Sequence, residues 1–283
     1  MVSIITAIHN QLEMNRIYYQ SIVESTDGDW ELIVIDNSSD DGSAEWFGQL
    51  GDSRVRVIRT GGNYSYPYCQ NLGIRNARGD VYAFFNNDIL LPPHWDTRAL
   101  TVLGHDGQEV LTLSSNDRAV DLKTTKRISR RWKRVKYPVM IIAGNGRRSL
   151  KAMARLTYGN FNRYAERMWQ RWGRTMLQGF SGSAVMMTRR AIELIGEWDE
   201  TQQGADFDLY MRTMQRHESH GDIKPLAVLN GVFHHHYQRL TLKGKHPEFT
   251  DRQNLRRFED KWDAETIKRY FEPMDNYTQW GEK

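Results

Sequence analysis

Apolar positions fall into two periodicities that alternate along the first hundred residues. Val2–Ile8 (VSIITAI) is a continuous apolar run of strand length, and from Gln11 to Glu24 the residues Leu12, Ile17, Ile22 and Val23 recur at helical spacing. Trp30–Ile35 (WELIVI) predicts a second strand. The polar cluster Asp36-Asn37-Ser38-Ser39-Asp40-Asp41-Gly42 follows and opens a helix around Ala44–Leu50. Arg54–Arg59 reads as a third strand, Tyr68–Ala77 as a helix closed by Gly79, and Val81–Phe85 as a fourth strand ending at Asn86-Asn87-Asp88. Strands separated by helices predict an α/β fold with a parallel sheet. A helix near Trp95–Leu103 and a strand at Val110–Ser114 continue the pattern, which a helical segment without strong strands then interrupts. The α/β rhythm resumes with a strand at Gly182–Met187, a helix over Arg189–Ile195, an amphipathic helix from Ala205 to His217 and a last strand at Leu226–Phe233. A single polar helix is expected from Asp251 to Tyr270.

Composition adds one strong feature. Across 283 residues the net charge is +4, but Arg118 to Arg174 holds 17 Lys and Arg against Asp121 and Glu166, a local +15 that leaves −11 for the rest. Trp132, Trp169 and Trp172 lie among these charges. Such a stretch suits anionic headgroups, a polyanionic acceptor or nucleic acid, or is a solvated helical insertion. Cys69 is the one cysteine, so no intrachain disulfide forms and the cytoplasm is the expected location. Neither a leader before Val2 nor an 18-residue apolar run is visible, and any membrane contact is expected to be peripheral, on the inner face.

In an open parallel sheet, ligands bind beyond the carboxyl ends of the strands. Those ends carry His9 and Asn10, then Asp36 with Asp40 and Asp41, Gly61-Gly62-Asn63, Asn86-Asn87-Asp88, and His234-His235-His236. Asp, Asn and His converging on one edge suit a divalent cation such as Mn²⁺ or Mg²⁺. The competing reading is that they cap helices and turns, which is the better one for Asp40 and Asp41. A histidine triplet is also an ordinary polar strand end. No G-x-G-x-x-G or G-x-x-x-x-G-K-[ST] follows a strand, which argues against dinucleotide and P-loop sites.

In order and spacing, VSIITAIHN, ELIVIDNSSDDGS, GGNYSYPYCQNLGIRNARGD, FFNNDILLPP, FSGSAVMMTRRAIELIGEWDE and ADFDLYMR together resemble a family 2 glycosyltransferase of the GT-A fold. The resemblance covers roughly 2–114 and 179–241. It implies a mostly parallel, Rossmann-like sheet flanked by helices, with 1–116 as the nucleotide-sugar half, 117–178 as the basic insertion, 179–245 as the acceptor half and 246–283 as a C-terminal helical segment. It implies a nucleotide-diphosphate sugar donor, a divalent metal on its phosphates, and inverting transfer to an acceptor hydroxyl in surface glycan or polysaccharide synthesis. Thr6, Ala7 and His9 would line the base and ribose pocket and Asp36 would bond the nucleoside. Asn63, Asn71, Asn86 and Asn87 would also contact the donor.

Asp88 would meet the metal with His234, joined by His236 on the same face. The first carboxylate of the usual D-x-D is Asn86 here, and the glutamate of the usual Glu-Asp pair is Ala205. The aspartate survives as Asp206, the expected general base, preferred over Asp208. An N-cap is the plainer reading of Asp206. Trp198 would stack on a sugar or pack in the core, and Gly182 would admit the donor sugar. The partners implied are a nucleotide sugar and a glycan or lipid-linked acceptor, with membrane contact or nucleic acid through 118–174. A nucleic-acid acceptor and a catalytically silent polyanion-binding module are the alternatives.

Overall fold

The computed structural model describes residues 1–238, 240 and 248–282. Its elements in order are β1 (Val2–Ile8), α1 (Leu12–Ser25), β2 (Trp30–Asp36), α2 (Ser43–Gly48), β3 (Val55–Arg59), α3 (Tyr66–Asn76), β4 (Val81–Phe85), β5 (Ile89–Leu90), α4 (Trp95–Leu100) and β6 (Val110–Ser114). Then come α5 (Leu122–Ala143), α6 (Arg147–Tyr158), α7 (Phe161–Trp172), β7 (Met176–Gln178), β8 (Ala184–Thr188), α8 (Arg189–Ile195), α9 (Ala205–His220), β9 (Ala227–Phe233) and β10 (His235–His236). After a 3₁₀ turn at Arg252–Asn254 the chain ends with α10 (Phe258–Lys261), α11 (Ala264–Asp275) and β11 (Gln279–Trp280).

Nine strands form one sheet in the order β11-β7-β9-β6-β8-β4-β1-β2-β3. Alternation along β1 and β2 decides the layers. Ile4, Leu32 and Val34 face a core shared with Tyr18 and Ile22 of α1, Phe47 of α2 and Trp95 of α4. Ile5, Ile33 and Ile35 face the opposite core, with Cys69 of α3, Leu209 of α9 and Tyr270 of α11. Both faces are therefore buried, as the unbroken apolar runs predict. Gly73 lets α3 lie directly on β1, because a Cβ there would stand 2.2 Å from Ile5 Cγ2.

The sheet is less parallel than its sequence suggests. β3, β2, β1 and β4 are parallel, but β8 runs antiparallel between β4 and β6, and β7 pairs antiparallel with β9. Helix–strand alternation reports chain order and says nothing about β8 slipping between two strands that precede it. Met176–Gln178, assigned by sequence to the basic insertion, is instead a sheet strand whose other edge takes β11. A separate two-stranded ribbon pairs β10 with β5, bringing His236 opposite Ile89.

The single C-terminal helix expected from Asp251 is broken. Trp262 takes an extended conformation where its buried ring docks on α9, its Nε1 donating to Asp208 at 2.9 Å. Asp263 then caps a new helix, accepting from Thr266 N at 2.9 Å. Among the described residues no helix is long and apolar enough to cross a membrane.

Candidate active site

The ends of β1, β2 and the loop after β3 are tied by side chains. His9 Nδ1 lies 2.8 Å from the Asn37 carbonyl oxygen. Asn37 donates to Asn63 Oδ1 at 2.9 Å and to the Tyr64 carbonyl at 2.8 Å, and accepts from Tyr64 N at 2.8 Å. Asp36 is buried at the end of β2 and accepts from Ser39 N at 3.1 Å. Ala7 is half-buried on the His9 face of β1. Thr6 is not part of this edge. Strand alternation turns it to the other face, where it is fully buried with Oγ1 2.6 Å from the Tyr18 hydroxyl, so its expected place in a base pocket is corrected to a core contact with α1.

The Asn-Asn-Asp triplet bridges this region to the second half of the sheet. Asn86 N donates to the Ser183 carbonyl at 3.0 Å. Asn87 Nδ2 donates to Asn15 Oδ1 at 2.7 Å, and Asn15 in turn donates to the Asn10 carbonyl at 3.1 Å. Asp88 is buried, and its Oδ1 stands 3.1 Å from His236 Nε2. The other nitrogen of that ring, Nδ1, is 2.5 Å from Asp117 Oδ2. Burial alone would lower the His236 pKa, but the Asp88 and Asp117 carboxylates outweigh it and hold the imidazole at about 10. Asn116 fixes the backbone of the same residue, donating to His236 O at 2.9 Å and accepting from His236 N at 2.8 Å.

Asn37, Asn116 and Asp117 were not singled out from sequence. The last two follow Ser114 and Ser115 at the carboxyl end of a predicted strand, so the strand-end rule that found Asp88 also points to them.

His234 and His236 do not share the carboxylate site. His234 is fully buried, with Nε2 2.8 Å from Ser183 Oγ, and desolvation pushes its pKa down to about 3. Its expected contact with the Asp88 centre is corrected: His236 meets Asp88, because the chain turns out of β9 into the β5–β10 ribbon between the two histidines. His235 is structural. Its ring packs edge-on to Trp132 at 4.5 Å, and Nδ1 lies 2.9 Å from the Tyr158 hydroxyl.

Asp206 stands at the start of α9, and its carboxylate lies against Gly182. A Cβ on Gly182 would be 2.1 Å from Asp206 Oδ2, so glycine there is what makes room for the carboxylate. Burial raises the Asp206 pKa, opposed by backbone hydrogen bonds including Phe207 N to Oδ1 at 3.1 Å. Asp208 is different in kind. It is fully buried and bound to Arg212 at 2.8 Å, Lys261 at 2.7 Å and Trp262, and so it anchors the C-terminal helices.

Two expected donor contacts are core or loop supports instead. Trp198 is 2% exposed and packs edge-on to Tyr66 and Phe84, leaving no face for a sugar. Asn71 spends its amide on the loop beneath. It donates to the Trp198 carbonyl at 2.8 Å and to Glu200 at 3.0 Å, and accepts from Trp198 N at 3.0 Å.

The remaining contacts close into one ring at the sheet edge. Gly182 meets Asp206, the next residue Ser183 meets Asn86, Asp88 meets His236, His236 meets Asp117, and Ser115 meets Ser181 at 2.8 Å. A divalent cation can be tested against this geometry. Two cis ligands of an octahedral ion with bonds of about 2.1 Å stand about 3.0 Å apart, and Asp88 Oδ1 and His236 Nε2 are 3.1 Å apart. The same distance is that of a hydrogen-bonded ion pair, and among the described residues no group of three or more His, Cys, Asp or Glu is placed to hold a metal, so a cation here would draw its remaining ligands from outside the protein.

Comparison with known proteins agrees with this fold. A partial match, 31% identical over 32% of this chain and 23% of the relative, is to the uncharacterized glycosyltransferase YfnE of Bacillus subtilis (strain 168). Another, 27% identical over 31% of this chain and 36% of the relative, is to the putative teichuronic acid biosynthesis glycosyltransferase TuaG of the same organism. The chain thus aligns with about a quarter to a third of these relatives' lengths. The crystal structure of S. aureus TarS 1–349 superposes with a TM-score of 0.51 at 12% identity, over 83% of this chain and 60% of that one, which supports the fold. The sequence profile of glycosyl transferase family 2 matches residues 3–193. With a mixed α/β sheet of the GT-A type and its polar residues gathered at the strand ends, this chain belongs to glycosyl transferase family 2.

Proposed function

We propose that this glycosyltransferase moves a sugar from a nucleotide-diphosphate donor to an acceptor hydroxyl with inversion, in surface polysaccharide synthesis. The observation that carries the reading is the ring at the sheet edge, which holds one carboxylate and imidazole pair and, across Gly182, one isolated carboxylate of raised pKa. His9, Asp36 and Asn63 would hold the nucleoside, beside Ala7, with Asn86 and Asn87 toward the sugar. Asp88 and His236 would hold a divalent cation, Mn²⁺ or Mg²⁺, which would displace the Nε2 proton that the two carboxylates otherwise keep on the ring and would neutralise charge growing on the departing diphosphate. Asp117 keeps the His236 ring oriented, as carboxylates do for ligating histidines.

Asp206 would take the proton of the acceptor hydroxyl as its oxygen bonds to the anomeric carbon and the bond from that carbon to the phosphate oxygen breaks. A raised pKa brings this carboxylate nearer to the basicity a general base needs. The partial match to a putative teichuronic acid glycosyltransferase is in keeping with a polysaccharide acceptor.

Calorimetry of nucleoside diphosphates and nucleotide sugars, with and without Mn²⁺, tests the reading. One nucleotide class should bind in a metal-dependent way that Asp88→Ala abolishes, and product NMR should show the inverted anomer. No nucleotide binding, or a retained anomer, would refute it.

A further inference from the structure

The α5–α6 hairpin has a settled inner side and an unused outer one. Inside, Trp132, Leu150 and Met153 pack on Met14 and Ile17 of α1 and on Tyr237. Outside, at the free end next to the Gly144-Asn145-Gly146 connection, Ile141 is 85% exposed and Ile142 84%. Tyr137, one turn earlier, is also exposed. Single exposed aliphatics are ordinary, but two adjacent isoleucines this bare, ending a helix, are not explained by packing among the described residues.

Charge within the hairpin has one sign. From Leu122 to Ala165 there are 13 Lys and Arg and no Asp or Glu, so nothing in the hairpin neutralises them. Lys133 and Arg134 precede the isoleucines and Arg147 and Arg148 follow them, all four exposed.

Bare aliphatic side chains flanked by cations on an amphipathic helix match the boundary between acyl chains and anionic headgroups. Nucleic acid would use the cations but offers its bases to aromatic rings, and has no place for an aliphatic end. Trp132 does not serve that purpose, because it is fully buried against His235, and among the described residues Tyr137 is the one exposed ring beside the two isoleucines.

We propose that this hairpin docks on an anionic lipid surface, with Ile141 and Ile142 entering the headgroup boundary and Lys133, Arg134, Arg147 and Arg148 meeting lipid phosphates. Through Trp132 and His235 the docking element contacts the residue next to His236.

Vesicle flotation of the whole protein tests this without any measurement of sugar transfer, so its outcome is separate from that of the transferase reading. Vesicles of phosphatidylcholine with about 30% phosphatidylglycerol should be bound and pure phosphatidylcholine should not, with binding weakened by salt. Ile141→Ser with Ile142→Ser should lower partitioning by about 100-fold. Arg147→Gln with Arg148→Gln should lower it by about 30-fold. All four positions are exposed, so both variants should keep the parent Tm. Absence of binding to anionic vesicles, or binding that neither pair changes, would overturn the proposal. So would tighter binding to duplex DNA that is unaffected by the isoleucine pair.

Discussion

Gly182→Ala isolates the one contact on which the catalytic reading of Asp206 rests. The added Cβ would lie 2.1 Å from Asp206 Oδ2 and 3.1 Å from its Cγ, whereas ordinary contact starts at 3.4 Å. The carboxylate must therefore retreat by about 1.3 Å. It is the mobile end of a short side chain at the first turn of α9, so it yields before the backbone does. A displacement of about 1 Å at a reacting group costs about 10²-fold in rate. Gly182→Ala should accordingly lower kcat about 10²-fold, leave KM for the donor nearly unchanged and keep the fold. The assay is release of nucleoside diphosphate from the nucleotide sugar that calorimetry identifies, with water as acceptor. The control is the double variant. If the alanine acts only through the carboxylate, Gly182→Ala adds nothing on an Asp206→Asn background. Activity within about twofold of the parent, or a further loss on the Asn background, would refute the reasoning.

Asp206 also sets a pH dependence. Its folded pKa is raised, so the folded chain binds a proton more tightly than the unfolded one, and stability falls as pH rises from the ordinary carboxylate range through the raised value. Asp206→Asn removes that loss, so at neutral pH it should be as stable as the parent or more so by thermal melting, while kcat drops about 10²- to 10⁴-fold. The parent rate should fall on acidification with a midpoint above that of a free aspartate. Asp117→Asn should raise the Mn²⁺ needed for donor binding about 10-fold or more by loosening the His236 ring, as read by calorimetry. Asp208→Ala strands Arg212 and the partly exposed Lys261 beside a buried site and should cost about 3 kcal/mol in denaturant unfolding; stability within 1 kcal/mol of the parent would argue against its anchoring role.

The strands and helices of residues 2–114 were legible because each is a continuous or periodic apolar run bounded by polar turns. What escaped was decided by distance along the chain. β7 and β11 are too short to show a pattern, and they are strands only because an open sheet edge accepts them. Thr6 and Ala7 sit in one apolar run, and only the register of β1 says which of the two faces α1. Trp198 could be placed in its loop by spacing, but its burial depends on Tyr66 and Phe84, more than 100 residues earlier. The histidine triplet concealed a change of course: one ring goes to Ser183, the next into the α5–α6 hairpin and the third to Asp88.

That change of course bears on how the site keeps its charge balance with Asn86 where the resemblance leads one to expect a carboxylate. Asp88 is left as the one acid of its triplet, and a lone carboxylate holds a divalent cation weakly. The second acid comes from another strand. Asp117, beyond the end of β6, reaches the site through the His236 ring, which it grips at 2.5 Å while the far nitrogen faces Asp88. A carboxylate acting through imidazole raises the basicity of the distal nitrogen without adding a second oxygen, so if the proposed site takes a cation its protein donor set would be one oxygen and one nitrogen. Such a set shifts preference from Mg²⁺ toward Mn²⁺, which accepts imidazole more readily. Metal selectivity is therefore the property in which the Asn86 substitution should show. Restoring the acid with Asn86→Asp should narrow the advantage of Mn²⁺ over Mg²⁺ in donor binding, whereas Asp117→Asn should weaken Mn²⁺ binding more than Mg²⁺. If both metals respond equally to both changes, His236 is not a ligand and its place between the two carboxylates is purely structural.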